Sequence, residues 1–239
     1  MTREHVIFPI MPLTVDLRRV QAGGDFYAYD ESLPSMWGIM PRSGSVKDLR
    51  WFKAPGVFSG HIMNAYTEGP KVHVDASISP GNGFRFIRTT DGRETGPSIA
   101  TVSRLTFHLD SNDDRVDLAP FPEATGEMPK CDDRFQMRRY RYGYMKTRDG
   151  IARLDWDTGV RTVHAIPEAP GGAQEPVFVP RGPEAREGEG WLLCLVTFGT
   201  QNLAELFVLD AMNVAGPPIA RVKLPFNQPA AFHGCFVAA

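Results

Sequence analysis

No CxxC pair occurs in this chain of 239 residues, and its three cysteines, Cys131, Cys194 and Cys235, are odd in number and irregularly spaced. That spacing excludes a disulfide framework and a thiolate zinc site, and it fits a reducing compartment, so the cytoplasm is the expected location. Also missing is any run of about 18 apolar residues, the length a membrane-spanning helix needs. The opening stretch MTREHVIFPIMPLTVD interrupts its apolar residues with prolines and an aspartate, and no membrane span or targeting signal is expected from it. Charge of one sign is absent too, since 26 basic residues face 28 acidic ones and the formal net charge is -2. Scattered charge of this kind gives no footprint for nucleic acid or acidic lipid. The densest basic cluster, RRYR at Arg138–Arg141, reads as a strand with arginines towards solvent and tyrosines on the other face.

Long amphipathic helices are lacking as well. What the chain does contain is 23 glycines and 20 prolines punctuating short runs rich in Val, Ile, Phe, Tyr and Trp, the pattern of an all-β protein. Strands are expected at Val6–Ile10, Phe26–Tyr29, Trp37–Pro41, Leu49–Lys53, Ile62–Thr67, Val72–Ser77 and Ile99–Leu109. Further strands are expected at Arg139–Lys146, Ile151–Trp156, Arg161–Ile166, Pro176–Pro180, Trp191–Phe198, Leu206–Asp210 and Ala220–Leu224. Turn signals such as the DG pairs at Asp91 and Asp149, DTG at Asp157 and PGG at Pro170 space them as antiparallel meanders. Periodicity leaves sandwich, barrel and propeller open. Two stretches share one design: RDGIARLDWDTGVRTVHAI, and the long run from Gly190 to Pro225. In each, a strand ends in Asp, turns, and returns as an outer edge strand. At about 40 to 45 residues per propeller blade the chain would supply roughly five blades at most.

Of the six histidines, His73, His108 and His164 sit in alternating half-polar strands, where an exposed or hydrogen-bonded side chain is the ordinary reading. His61 in GHIMNA and His233 in FHGCFV instead sit beside glycine in apolar surroundings, where both ring nitrogens must find partners. Two glutamates, Glu127 in GEMP and Glu175 in QEPVFVPR, stand on proline-stiffened backbone. Carboxylates in such places are either solvated turn residues or acceptors for the second N–H of a metal-bound imidazole.

The segment WFKAPGVFSGHIMNAYTEG resembles the part of carotenoid cleavage oxygenases, the family that includes lignostilbene dioxygenases, in which a histidine before Met-Asn-Ala binds iron. GEMPKCDDRFQMRRYRYGY is similar to the family's Glu-Phe-Pro, Asp-x-Arg and Arg-Tyr-x-Tyr series, with Met128 in place of the usual phenylalanine. EPVFVPR, EGEGWLLCLV and LFVLDA resemble its late signature, and LPFNQPAAFHGCFV its closing strand. The resemblance implies a seven-bladed β-propeller, of which this chain would be a carboxy-terminal part of about four to five blades. It implies Fe(2+) bound by His61 and His233, with Glu127 and Glu175 hydrogen-bonded to those rings. It also implies dioxygenase cleavage of an alkene, stilbenoid, phenylpropanoid or carotenoid-type, with O2 to give two carbonyl products. The family uses four histidines and three glutamates; two of each are found here, and the others are expected upstream of Met1. His5 is not a counterpart of a ligand. The alternative expectation is a truncated, inactive propeller fragment that serves as a binding module or has no function.

Overall fold

The computed structural model describes residues 1–54, 58–96, 98–199, 201, 203–226, 228 and 233–237. Its first elements are β1 (His5–Ile10), β2 (Leu13–Val15), the five-residue helix α1 (Leu17–Gln21), β3 (Tyr27–Tyr29), β4 (Ser35–Pro41) and β5 (Arg50–Ala54). β1, β4 and β5 form an antiparallel sheet in the order β1-β4-β5, while β2 and β3 form a separate ribbon.

Three four-stranded antiparallel meanders follow. The second sheet is β6 (Phe58–Glu68), β7 (Lys71–Ser79), β8 (Thr101–His108) and β9 (Val116–Thr125). The third is β10 (Glu127–Cys131), β11 (Tyr142–Lys146), β12 (Gly150–Asp155) and β13 (Val160–Ala165). The fourth is β14 (Val177–Pro180), β15 (Gly190–Phe198), β16 (Leu203–Asp210) and β17 (Ala220–Lys223).

Each sheet packs on the next in chain order. Trp37, Ile39 and Phe52 of the first sheet bury against Val74, Leu105 and Phe107 of the second. Met63, Val102 and Phe121 of the second meet Met145, Ala152 and Leu154 of the third. Tyr144 and Ile151 of the third meet Leu192 and Phe207 of the fourth, and Tyr144 stacks on Phe178 with ring centroids 5.6 Å apart. Strands in the middle of this stack are covered on both faces, which is why β7, KVHVDASIS, is buried after its first residue. One buried polar cluster links the second sheet to the segment that leads into β11: Arg104 donates to both oxygens of Asp75 at 2.7 and 2.8 Å, and the Tyr140 hydroxyl donates to Asp75 at 2.8 Å. A buried carboxylate needs such partners, because an unpaired charge in that position would cost several kcal/mol, of the order of 3 to 5.

The two outermost faces are apolar but have no sheet against them among the described residues. On the first sheet Phe8, Gly38 and Trp51 form one cross-strand row, and Ile10, Met36 and Lys53 the next; Phe8, Ile10 and Trp51 are exposed. On the fourth, Val177, Leu193 and Val208 form one row, and Leu195, Leu206 and Val222 the next.

The fourteen strands expected from the pattern of runs and turns are present, with ends shifted by a few residues, and both Asp-terminated hairpins form the outer edges of their sheets as β12–β13 and β16–β17. Three further strands appear, β2, β9 and β10. Pro120 and Pro122 in β9 and Pro129 in β10 argue against strands, yet both elements lie at sheet edges, where a missing N–H costs no ladder bond. The reading of RRYR as a strand is corrected: Arg138–Arg141 precede β11, and the side chains of Arg139, Tyr140 and Arg141 go to separate partners. Arg141 donates to both oxygens of Asp155 at 2.9 and 2.8 Å, Arg139 pairs with Asp157, and Tyr140 is buried. The expected closing strand around His233 is also not found, since residues 233–237 have no regular structure; residues 227 and 229–232 of that stretch lie outside the described residues.

Phe107 lies fully buried between Trp37 and Phe52, with ring centroids 5.7 and 5.3 Å away. Phe107→Ala should destabilise the chain by about 3 to 5 kcal/mol in urea denaturation, whereas Val160→Ala, at an exposed edge position, should change stability by less than about 0.5 kcal/mol.

Candidate metal centre

β6 does not run evenly against β7. From Ser59 to Ile62 it advances three residues while β7 advances two, and from Ile62 to Asn64 it advances two against one. His61 lies inside this doubly bulged stretch. A bulge breaks strict alternation and turns a side chain away from the ladder, so the imidazole is neither a core nor a solvent-face position.

The ring meets Glu127, the first residue of β10. His61 Nδ1 lies 2.9 Å from Glu127 Oε2, which also accepts the backbone N–H of Met128 at 2.9 Å. β10 carries a bulge of its own between Glu127 and Lys130, with Met128 at φ 53°. Gly60 makes room for the pair, because a Cβ there would overlap Glu127 Oε1. Gly126 is constrained in the same way, as a Cβ would strike the carbonyl of Lys146 across the ladder.

A second pair repeats the design. Glu175, just before β14, has a side chain only 6% exposed. Its Oε1 lies 3.1 Å from His233 Nδ1, and its Oε2 accepts the backbone N–H of Gly234 at 2.9 Å. Each carboxylate thus takes one imidazole and one main-chain donor.

The two imidazoles come together: their ring centroids are 5.0 Å apart and their planes inclined by 71°. All four residues singled out in the sequence therefore meet in one place. A carboxylate can only accept, so Nδ1 of each ring is the donor and Nε2 of each neutral ring is the atom with a lone pair for a metal. The hydrogen bond that His61 donates to Glu127 raises the His61 pKa above its ordinary 6.5 against the opposing effect of burial, with the charges of Glu127 and Glu175 adding and that of Lys146 subtracting. Among the described residues no group of three or more His, Cys, Asp or Glu side chains gathers in metal-binding geometry. The donor set is two oriented imidazoles, which fits part of a metal shell.

The other histidines are engaged elsewhere. His73 bonds Thr106 and is driven by burial to a pKa of about 4, His108 bonds Asp117, and His164 packs edge-on to Phe207. Two clefts flank the pairs. One, of about 220 Å³, runs from Glu175 and His233 over Val177, Leu193, Leu195 and Leu206. The other, of about 430 Å³, includes Glu127, Lys146 and residues of the β7–β8 connection. Sequence reading noted the glycine beside His61 without its steric role and missed Lys146 and that connection; the FRF run at Phe84–Phe86 was the available signal.

A family model described as RPE65, retinal pigment epithelial membrane protein, matches residues 1–238. An isoeugenol monooxygenase of Pseudomonas putida is 34% identical over 98% of this chain and 53% of its own length. A lignostilbene-alpha,beta-dioxygenase isozyme III of Sphingomonas paucimobilis is 32% identical over 98% of this chain and 52% of its own. The crystal structure of a Pseudomonas brassicacearum lignostilbene dioxygenase superposes with a TM-score of 0.94 at 33% identity, covering 100% of this chain and 54% of that one. A cobalt-substituted Synechocystis apocarotenoid oxygenase superposes at 0.81 with 25% identity, covering 96% of this chain and 50% of that one. The chain spans about half the length of the curated relatives it matches.

In the metal-free chain His61 should titrate above 6.5. A pKa raised on folding stabilises the fold fully below the unfolded value, and the contribution is lost as pH rises through the folded value. Glu127→Gln should lower the His61 pKa in an NMR titration, and Gly60→Ala should do the same by displacing the carboxylate. An unaltered His61 titration in both variants would contradict the bond.

Proposed function

We propose a function for this chain on one premise: it belongs to the carotenoid cleavage oxygenase (RPE65) family and is lignostilbene dioxygenase-like. It forms part of a non-haem Fe(2+)-dependent dioxygenase that cleaves the double bond of a small hydrophobic or aromatic alkene with O2 into two carbonyl products. A stilbenoid or phenylpropanoid substrate is favoured over a long carotenoid, in keeping with the relatives named for lignostilbene and isoeugenol. The observation that carries the reading is the meeting of His61 and His233 at 5.0 Å, each held through Nδ1 by its own glutamate.

His61 and His233 would hold the iron through Nε2, and Glu127 and Glu175 fix the tautomer and direction of those rings. Iron bound there would supply the position at which O2 is activated. The chain's own part is to hold both rings oriented, with Nδ1 donating to a glutamate, and to offer apolar walls for the alkene beside them. The relative crystallised with cobalt supports a metal centre in the family.

The four sheets read as consecutive blades of a seven-bladed propeller, with residues 1–239 as one propeller portion. Their packing in chain order supports this, as do the uncovered apolar faces of the first and fourth sheets. Further sheets would cover those faces and supply the remaining histidines. Two imidazoles without such a complement are a weak site, and on that observation the chain alone would bind iron poorly and be inactive.

Anaerobic Fe(II) loading followed by metal analysis tests the reading. The chain alone should retain little iron. Co-folded with the amino-terminal half of a lignostilbene dioxygenase, it should retain stoichiometric iron and cleave a hydroxystilbene. His61→Ala should abolish both, and Glu127→Gln should lower affinity or activity roughly 10- to 100-fold. Full activity of His61→Ala in the complemented protein would exclude the assignment.

A further inference from the structure

The cleft of about 430 Å³ beside Glu127 carries three cations on its wall, Arg85, Lys146 and Arg148. Lys146 is the residue directly opposite Glu127 in the β10–β11 ladder, Arg148 follows two residues on, and Arg85 comes from the β7–β8 connection. None of the three has a carboxylate within 4.0 Å among the described residues. Among the described residues other arginines do find carboxylates, including Arg93, Arg104, Arg134, Arg141, Arg181 and Arg221, so what sets this cleft apart is that three unpaired cations share one wall.

The acid in the same wall does not neutralise them. Glu127 Oε2 is taken by His61 and the Met128 N–H, and its Oε1 faces Gly60. Three like charges around one concavity repel one another and raise its local potential, which a bound anion relieves. Apolar surface adjoins the cations: Ile99, in the cleft wall, is 66% exposed, and the exposed Phe84 and Phe86 flank Arg85 in the chain, with Phe84 edge-on to Phe58 at 5.1 Å and 5.3 Å from Phe86. Aromatic surface left in water beside unpaired cations suits a ligand with an aryl body and an anionic end.

We propose that this cleft receives the carboxylate end of an aryl alkene, with Arg85, Lys146 and Arg148 as its counter-ions and Ile99 against its ring. The assignment rests on the alkene-cleaving function above and narrows its substrate class to aryl alkene carboxylates. A phenol, with a pKa near 10, is neutral at physiological pH and gains little from three cations, so the site discriminates a carboxylate from a hydroxyl.

Binding of trans-stilbene-4-carboxylate and of 4-hydroxystilbene to the metal-free chain, followed by ligand fluorescence, tests this without any dependence on iron or turnover. The carboxylate should bind about tenfold tighter at low salt, given roughly two- to fivefold per exposed ion pair. The preference should shrink at 1 M salt, where the screening length falls to about 3 Å. Lys146→Gln and Arg148→Gln should each weaken carboxylate binding roughly threefold and leave the phenol unchanged, while Lys47→Gln, a distant exposed cation, should alter neither. Equal affinity for the two ligands, or a preference that survives the Lys146→Gln/Arg148→Gln double variant, overturns the proposal. Should that variant not fold, a carboxylate preference of the unaltered chain that is insensitive to salt overturns it as well. Loss of the iron assignment in the complementation experiment would leave the binding result standing, so the two failures are separable.

Discussion

The hydrogen bond between a carboxylate and an imidazole Nδ1 is the interaction on which the rest of this site depends. It occurs twice, between residues 66 positions apart in His61–Glu127 and 58 apart in His233–Glu175. In both, the glutamate also takes a main-chain N–H from the residue after itself or after the histidine. That second donor pins the carboxylate, so the imidazole cannot turn without breaking a bond at a fixed acceptor. Orientation of a histidine is then a property of backbone geometry rather than of rotamer preference, and it holds whether or not anything is bound at Nε2.

Backbone geometry in turn depends on the stacking of the sheets. Glu127 opens the first strand of the third sheet while His61 lies on the first strand of the second, each an edge strand, and Met63, two residues beyond the histidine, buries with Cys131 and Met145 of the third sheet. The contact that registers the two sheets therefore also sets the distance between acid and imidazole. Regular strands would defeat this arrangement, since strict alternation would send position 61 to a sheet face. The bulges in β6 and β10 are the local departures that let neighbouring sheets share a side-chain bond at their common edge.

The parts of this structure that were legible in the sequence were those whose signal is local. Alternating Val, Ile and Tyr runs between glycine and proline turns marked the central strands and the two Asp-terminated hairpins, because burial on a pleated sheet acts residue by residue. β9 and β10 were hidden, since their prolines count against a strand unless the strand is known to be at an edge, and edge position is a tertiary fact. RRYR misled for a related reason: its regular look came from composition, whereas the conformation of Arg141 and Tyr140 is set by Asp155 and Asp75 on other strands. The four site residues were found through motif order. Their mutual approach, and the need for glycine at position 60, arise only when two sheets are packed together.

The two pairs are built alike but placed unequally, and the difference has a physical consequence. Glu175 is nearly buried, whereas the side chains of Glu127 and His61 are about one-third exposed and that of His233 is more exposed still. A buried anion keeps its charge only while its donors stay in place, so the Glu175 pair ties His233, on a segment without regular structure, to the rim of the fourth sheet. Glu127 has water as an alternative partner, and its pair is held instead by strand geometry and the space at Gly60. One imidazole is thus fixed by scaffold and the other by electrostatics. The charge of Glu175 also reaches His61, so the carboxylate that anchors the less structured ligand candidate strengthens the basicity of the better structured one. Two oriented rings, each backed by a carboxylate, form an electron-rich half-site.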